Sequence, residues 1–103
     1  MPNMNDILRQ AQVMQRKLAK MQEELAGKTF EASSGGGMVK VVVNGNRDLV
    51  SLTIDPTCFA DNDHEMLQDL IVAAVNEANR IAKDTVEREM TALSGNVKLP
   101  MFF

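Results

Sequence analysis

Few side chains of this sequence could carry out chemistry, and most of them lie in one short stretch. His64 is the only histidine and stands near Asp61, Asp63 and Glu65, a set of groups that often bind metals. Residues 63, 64 and 65 point in different directions on a helix, however, and acids at a helix start have the simpler role of capping it. We therefore predict no metal site. We also predict no catalytic set, because any Ser/His/Asp arrangement would need His64 as its base.

Two other features are weak signals for catalysis. Cys58 has no cationic neighbour in the sequence that would activate its thiol, so we predict a core position beside Phe59. The run Gly35-Gly36-Gly37 lacks the Gly-Lys-Ser/Thr ending of a phosphate loop and precedes a strand rather than a helix. We predict that the protein is not an enzyme and uses no cofactor or small-molecule substrate.

The basic residues are unevenly distributed along the chain. Between Asp6 and Glu23 there are four positive charges and no negative ones, although the formal net charge is −3. A local positive strip of this kind is typical of a phosphate-binding surface, and an ordinary solvated helix face has the same appearance. The candidate DNA-binding residues in this strip are Arg9, Arg16, Lys17 and Lys20. Second-rank candidates, interleaved with acids farther along the chain, are Arg80, Lys83 and Arg88.

The strip lies on a segment with helical periodicity. Apolar residues from Met4 to Leu25 are spaced alternately three and four apart, which is the a/d pattern of a coiled-coil seam. The spacing predicts a helix over 3–26, capped by Asn3 and ended by Gly27. The seam consists of Met4, Ile7, Ala11, Met14, Leu18, Met21 and Leu25.

Three short strands follow the first helix. Alternating apolar residues predict strands over 29–33, 38–44 and 49–54, arranged as an antiparallel meander. Asn44-Gly45-Asn46 predicts a hairpin with a type I′ turn, in which Asn and Gly take positive φ angles. The residues predicted to share a face within each strand are Phe30 and Ala32, then Val39, Val41 and Val43, then Val50, Leu52 and Ile54.

A second long helix completes the pattern. It is predicted to begin at Asn62 or the next residue, with Glu65 completing a capping box from Asn62. It runs to about Leu93 and ends at Ser94-Gly95. Residues 96–103 have no periodicity, and we expect them to form a mobile tail.

Length and composition limit the class of protein. A chain of 103 residues with 45% hydrophobic residues and one cysteine fits a single domain, 1–103, without a disulfide framework. No apolar run approaches the roughly 20 residues that cross a bilayer, and the first residues do not resemble a signal peptide. We expect a cytoplasmic protein of the α+β class, with the element order α-β-β-β-α.

The predicted helices are longer than the sheet between them. Helices of roughly 36 and 46 Å overhang strands of about 20 Å, and the overhanging turns still carry apolar seam residues. Segment 70–75 is also apolar around its whole circumference. We therefore predict a homodimer with helical arms that project from a compact centre, the alternative being an extended monomer with a partly wet seam. The candidate dimer-interface residues are Leu70, Ile71 and Val75.

A central sequence signature is flanked by two helical motifs. The signature runs from Gly35-Gly36-Gly37-Met38-Val39-Lys40-Val41 through Asn44-Gly45 to Val50-Ser51-Leu52-Thr53-Ile54-Asp55-Pro56. The flanking motifs lie over 14–25 and 67–76. Together they resemble the YbaB/EbfC family of bacterial nucleoid-associated proteins over nearly the whole chain.

This resemblance implies a tweezers-shaped homodimer whose helical arms contact double-stranded DNA. It also implies a protein of the nucleoid that affects DNA conformation, nucleoid organisation and gene expression, without catalysis. The alternative interpretation is a protein-interaction module whose Met-rich seam holds a helical partner, with no role for DNA.

Overall fold

The computed structural model describes residues 3–60 and 62–97. It confirms the predicted α+β class, with a long helix at each end and a three-stranded antiparallel sheet between them. A short 3-10 helix follows the first strand and another follows the third. The elements are α1 (Met4–Gly27), β1 (Thr29–Ser34), β2 (Val39–Asn44), β3 (Leu49–Ile54) and α2 (His64–Val97).

Helix α1 begins as its sequence predicts. The Asn3 side chain accepts a hydrogen bond from the backbone N–H of Asp6 at 2.9 Å, which satisfies one of the free donors of the first turn. Gly27 is the last helical residue, and the backbone turns to an extended conformation at Lys28. The Lys28 N–H donates to the carbonyl of Leu25, the one residue of α1 that is fully buried.

Helix α2 packs on β1 and β2 through a stripe of small residues. Ala74, Ala78 and Ala82 follow one another at intervals of four, so they lie on one side of α2, and all three are fully buried. Their small side chains allow the helix to lie close to the sheet. The strand residues in the same core are Phe30, Ala32, Val39, Val41 and Val43, as their alternation predicts.

The third strand lies at an edge of the sheet, and three of its four apolar side chains, those of Leu49, Val50 and Leu52, are exposed. The pairing of β2 with β3 shifts between Val42 and Val43, so that Leu49 rather than Val50 lies opposite Val43. Leu52 lies opposite Val41, so the two side chains are on the same face of the sheet. This bulge interrupts the predicted alternation at Val50, because one extra residue on a strand breaks its period of two.

The hairpin between β2 and β3 is confirmed, but the predicted type I′ turn is wrong. Positive φ occurs at Arg47 (67°) and not at Gly45. The Arg47 N–H donates to the Asn44 carbonyl, and the Asn44 N–H donates to the Asp48 carbonyl, which is the pattern of a three-residue loop. A Cβ on Gly45 would lie 1.8 Å from the carbonyl oxygen of Leu25, so this glycine is required by the close approach of α1.

The structure confirms one of the two predicted starts of α2, at Asp63, and corrects the capping box from Asn62 and the predicted end. Asn62 has a φ of 53°, whereas a capping residue is typically extended; Asp63 is the cap, and its carboxylate accepts from the N–H of Met66 at 3.0 Å. The helix continues through Ser94-Gly95 to Val97, since one glycine costs a helix only about 1 kcal/mol. Residues 96 and 97 of the expected tail are therefore helical, and residues 98–103 lie outside the described ranges.

The molecule is elongated, with dimensions of 72, 19 and 16 Å. At about 1.5 Å per residue, α1 is about 36 Å long and α2 about 51 Å, so end to end they would span about 87 Å. The long dimension of 72 Å exceeds the length of either helix, so neither helix alone accounts for it. Most of α1 therefore projects beyond the sheet as an arm, which confirms the predicted overhang.

Candidate nucleic-acid interface

The positive strip of α1 lies on the projecting arm. Its four members, Arg9, Arg16, Lys17 and Lys20, are all exposed. Arg16 and Lys20 are separated by one turn, so their charged groups can reach the same side of the helix. An exposed helical rod with repeated cations can follow a phosphate backbone without any deep pocket.

The ion pairs divide the strip into two parts. Arg9 pairs with Asp6 at 3.5 Å, one turn away on the same helix. Within residues 3–60 and 62–97, no carboxylate forms an ion pair with Arg16, Lys17 or Lys20. We call these three residues the free basic cluster. Their charge is available to an external anion.

Two uncharged residues lie beside this cluster and escape an analysis based on charge. Gln12 and Gln15 line a shallow, open depression on α1 together with Arg16 and Ala19. Amide side chains donate hydrogen bonds that suit phosphate oxygens. Gln12 lies four residues before Arg16 and Gln15 four residues before Ala19, and this helical spacing is the sequence signal that could have identified them.

The second-rank cations on α2 are more strongly engaged. Arg80 donates to both oxygens of Glu77, with an Nε–Oε2 distance of 3.0 Å, and to Asp84 at 3.0 Å. These hydrogen bonds lower the pKa of Glu77 and, with Asp84, raise the pKa of Arg80. Two carboxylates thus cancel the charge of Arg80 locally. Lys83 and Arg88 are exposed, and Arg88 donates to the Thr85 hydroxyl at 3.5 Å.

Lys28 connects the root of the arm to α2. Its Nζ lies 3.4 Å from Oε1 of Glu89 and 5.9 Å from the centre of the Phe30 ring. The ammonium therefore joins the α1–β1 junction to α2 by an ion pair and a cation–π contact. No local pattern in the sequence marks Lys28 as a positioning residue, because Glu89 is 61 residues away and comes close only in the folded chain.

The residues that could suit catalysis or metal binding by type instead cap helices, pack in the core or lie exposed on the surface. Asp63 caps α2, and His64 is the exposed first residue of that helix. Cys58 is 2% exposed, with its thiol near the carbonyl of Met38, as its apolar context predicts. Asp55 accepts hydrogen bonds from the N–H and hydroxyl of Thr57, which lower the pKa of its carboxyl group. No cluster suited to a metal ion is found among the described residues, and no helix there is long and apolar enough to cross a membrane.

Three exposed apolar side chains lie on the edge strand β3. Leu49 is 51% exposed, Val50 56% and Leu52 40%, and the outer edge of this strand has no partner strand within the described sheet. The predicted interface residues have a different position. Leu70, Ile71 and Val75 pack against the core of their own chain and are only partly buried.

Comparisons with known proteins give one consistent result. The sequence model of the YbaB/EbfC DNA-binding family matches residues 1–97. A nucleoid-associated protein from Moorella thermoacetica is 52% identical over 102 residues, covering 99% of this chain and 98% of that protein. Another from Pelotomaculum thermopropionicum is 48% identical over 101 residues, covering 98% and 96%.

A solved structure has the same architecture. The crystal structure of an uncharacterized protein from Helicobacter pylori is similar with a TM-score of 0.70 and 25% sequence identity. The match covers 96% of this chain and 100% of that one. The fold is therefore shared over nearly the whole length of this chain.

Proposed function

The chain belongs to the YbaB/EbfC DNA-binding family, and we propose that it binds double-stranded DNA as a homodimer, mainly through phosphate contacts of the free basic cluster on α1. Binding would alter DNA conformation and thereby affect nucleoid organisation and gene expression. The protein acts in this proposal as a cytoplasmic, non-enzymatic component of the nucleoid, without a cofactor. Family membership favours DNA over the alternative of a helical protein partner.

The free basic cluster is the observation that carries the proposal. The whole chain has a net charge of −3, yet three exposed cations lie within five residues on an arm that projects from the sheet. DNA attracts such a local positive potential even when the rest of the protein is acidic, because salt screens charges beyond about 10 Å. The acidic residues elsewhere on the protein are then too far from the cluster to oppose its contact with DNA strongly, and they limit non-specific binding of the other surfaces to DNA.

A homodimer would double this binding surface. The edge of β3 exposes both apolar side chains and unpaired backbone groups, and such an edge is commonly covered by another chain. Pairing of β3 with β3 of a second chain would place two arms on one assembly. Leu70, Ile71 and Val75 are partly buried in the core of their own chain. In this proposal they add only their exposed portions to the dimer interface.

Contacts to phosphates rather than to base edges are proposed for a chemical reason. Sequence readout requires side chains that enter a groove in a fixed orientation, whereas Arg16, Lys17 and Lys20 are long, exposed side chains on a single helix. Any preference for particular DNA would then come from its shape and deformability. Arg9 and the α2 cations Lys83 and Arg88 extend the proposed track, and Arg80 contributes least because two carboxylates hold it.

The direct test is DNA binding by a variant without the free basic cluster. The triple substitution Arg16→Gln, Lys17→Gln and Lys20→Gln should weaken binding to a mixed-sequence duplex by at least about tenfold, measured by fluorescence anisotropy at fixed salt. Lys40→Gln is the control, since Lys40 is exposed on β2 and not on the arm. Equal affinity of the triple variant and the parent protein would contradict the proposal.

A further inference from the structure

The shallow depression on α1 has long polar side chains around one small residue. Its lining residues are Gln12, Gln15, Arg16 and Ala19, and we call these four residues the amide depression. They are separated by three or four positions along the chain, so they are neighbours on the helix surface. Ala19 contributes only a methyl group. Another molecule can therefore approach the backbone of α1 most closely at Ala19.

The two amides of this depression have open hydrogen-bonding capacity. Both Gln12 and Gln15 are exposed. Within residues 3–60 and 62–97, neither amide side chain forms a hydrogen bond with another protein group. Each glutamine amide has two N–H donors and one carbonyl acceptor. All the donors of both amides are therefore available to an external acceptor.

The amide depression lies on the same side of α1 as the cations. At about 100° per residue, Gln12 lies within about 60° of both Arg9 and Arg16 around the helix axis. Arg16 belongs both to the depression and to the free basic cluster, and Lys20 lies one turn beyond it. Arg9 and Lys20 thus flank the depression along the helix. A polyanion that follows these cations crosses the amides.

Amide donors contribute to DNA binding differently from cations. Sugar and phosphate oxygens accept hydrogen bonds from glutamine side chains as well as from arginine and lysine. A neutral amide neutralises no phosphate and releases no counterion, so its hydrogen bond is not weakened by salt in the way that a cation's contact is. The salt dependence of binding therefore separates the two kinds of contact.

We propose that Gln12 and Gln15 donate hydrogen bonds to sugar–phosphate oxygens of the DNA strand that Arg16 contacts, with Ala19 at the point of closest approach. These contacts supply a part of the affinity that does not depend on salt, beside the salt-dependent part from the free basic cluster. The inference rests on the proposed function and deepens it, because it names uncharged residues and the atoms that they bind.

A salt titration of a double variant tests the amide contacts. Gln12→Ala combined with Gln15→Ala leaves the charge of the arm unchanged, and alanine favours a helix at least as well as glutamine. The association constant for a mixed-sequence duplex should fall by at least about fivefold at every salt concentration between about 50 and 200 mM. The plot of log K against log salt should keep the slope of the parent protein.

The matched control is Gln10→Ala. Gln10 is an exposed glutamine of the same helix, and it lies about 160° from Gln12 around the helix axis. Its loss removes the same chemical group from the opposite side of α1. The affinity for the duplex should therefore stay unchanged.

A second variant tests the point of closest approach. Ala19→Leu adds an uncharged side chain to the depression without removing a cation or an amide. It should weaken binding by at least about threefold, because the DNA backbone would be held beyond hydrogen-bonding distance of Gln12 and Gln15. Ala73→Leu makes the same change at an exposed position of α2 and should have no effect. Circular dichroism verifies that the helices of each variant are intact.

The results that would overturn this inference differ from those that would overturn the proposed function. A double variant with the affinity of the parent protein would exclude the amide contacts, and a loss confined to low salt would assign the effect to charge. Unchanged binding by Ala19→Leu would exclude Ala19 as the point of closest approach. A parent protein that does not bind the duplex at any of these salt concentrations would contradict the proposed function itself, and this inference with it.

Discussion

The basic residues of α1 and α2 carry the same formal charge but differ in the carboxylates near them. Arg80 is held between Glu77 and Asp84, whereas Arg16 has no ion pair among the described residues. Bases and acids are interleaved along α2, and two of these acids form ion pairs with Arg80. Exposed ion pairs add little to stability, but they reduce the potential that a phosphate would meet.

The first prediction concerns the titration of Glu77. Arg80→Gln should raise the pKa of Glu77 toward its ordinary value, because the hydrogen bonds that favour the carboxylate are lost. The stabilisation that this pair provides is present above the ordinary glutamate pKa and is lost as pH falls through the lowered pKa, so the variant should show a weaker acid dependence. Side-chain NMR titration measures the midpoint, with Lys83→Gln as a control. An unchanged midpoint in Arg80→Gln would show that the pair does not form in solution.

The second prediction concerns Gly45. Gly45→Ala should destabilise the protein by about 2 kcal/mol, because the new methyl group would overlap the backbone carbonyl of Leu25 and the backbone must shift. Gly27→Ala is a matched control, since nothing lies within 4 Å of the added methyl group there. Urea unfolding measures both changes. A Gly45→Ala loss no larger than that of Gly27→Ala would contradict the close approach.

Gly45 also shows a limit of sequence analysis at the residue scale. Asn44-Gly45 is a strong hairpin signal, and the hairpin is present, but the reason for the glycine is contact with α1. Such a contact between elements distant in sequence leaves no local pattern. Lys28 escaped notice for the same reason, since Glu89 is 61 residues away.

At the scale of elements, hydrophobic periodicity predicted the order and type of the helices and strands. It predicted their first and last residues less accurately. The strand over 49–54 was predicted with its observed bounds, and α1 extends to Gly27, one residue beyond the predicted helix. The predicted start of α2 left Asn62 and Asp63 open, and the capping box was wrongly assigned to Asn62, because both residues suit a cap by residue type. The choice between them depends on backbone angles, which composition does not specify.

The third prediction distinguishes these two caps. Asp63→Ala should destabilise the protein by about 1 kcal/mol, because the N–H of Met66 loses its acceptor. Asn62→Gly should be neutral or slightly stabilising, since a glycine adopts the positive φ of that position without strain. Chemical denaturation of the two variants measures the difference. A larger loss in Asn62→Gly would restore the predicted capping box.

At the scale of the whole molecule, the exposed β3 edge and the projecting arm both follow from helices longer than the sheet. The sequence predicted the overhang from lengths alone, and the shape confirms it. It did not reveal that α2 leaves β3 uncovered, because the position of a helix across a sheet depends on packing. The apolar circumference of segment 70–75 therefore pointed to α2 for the dimer interface, while three exposed apolar side chains lie on β3.

The fourth prediction tests the proposed assembly. Leu52→Asp should convert the dimer to a folded monomer of about 11.4 kDa, measured by sedimentation equilibrium, because a charge would be buried at the paired edges. Circular dichroism verifies that the helices remain. Ser33→Asp adds the same charge on β1, at the opposite side of the sheet, and should leave the dimer intact. A Leu52→Asp protein that remains dimeric would exclude β3 as the interface.

The central claim is that the free basic cluster of a dimer neutralises DNA phosphates, and the salt dependence of binding measures this directly. Three cations on each of two chains would release counterions from about six phosphates, so the plot of log K against log salt should have a slope of about −5. The triple variant Arg16→Gln, Lys17→Gln and Lys20→Gln should lose most of that slope. If the variant and the parent protein have the same slope, the phosphate contacts lie elsewhere and the account of this arm is wrong.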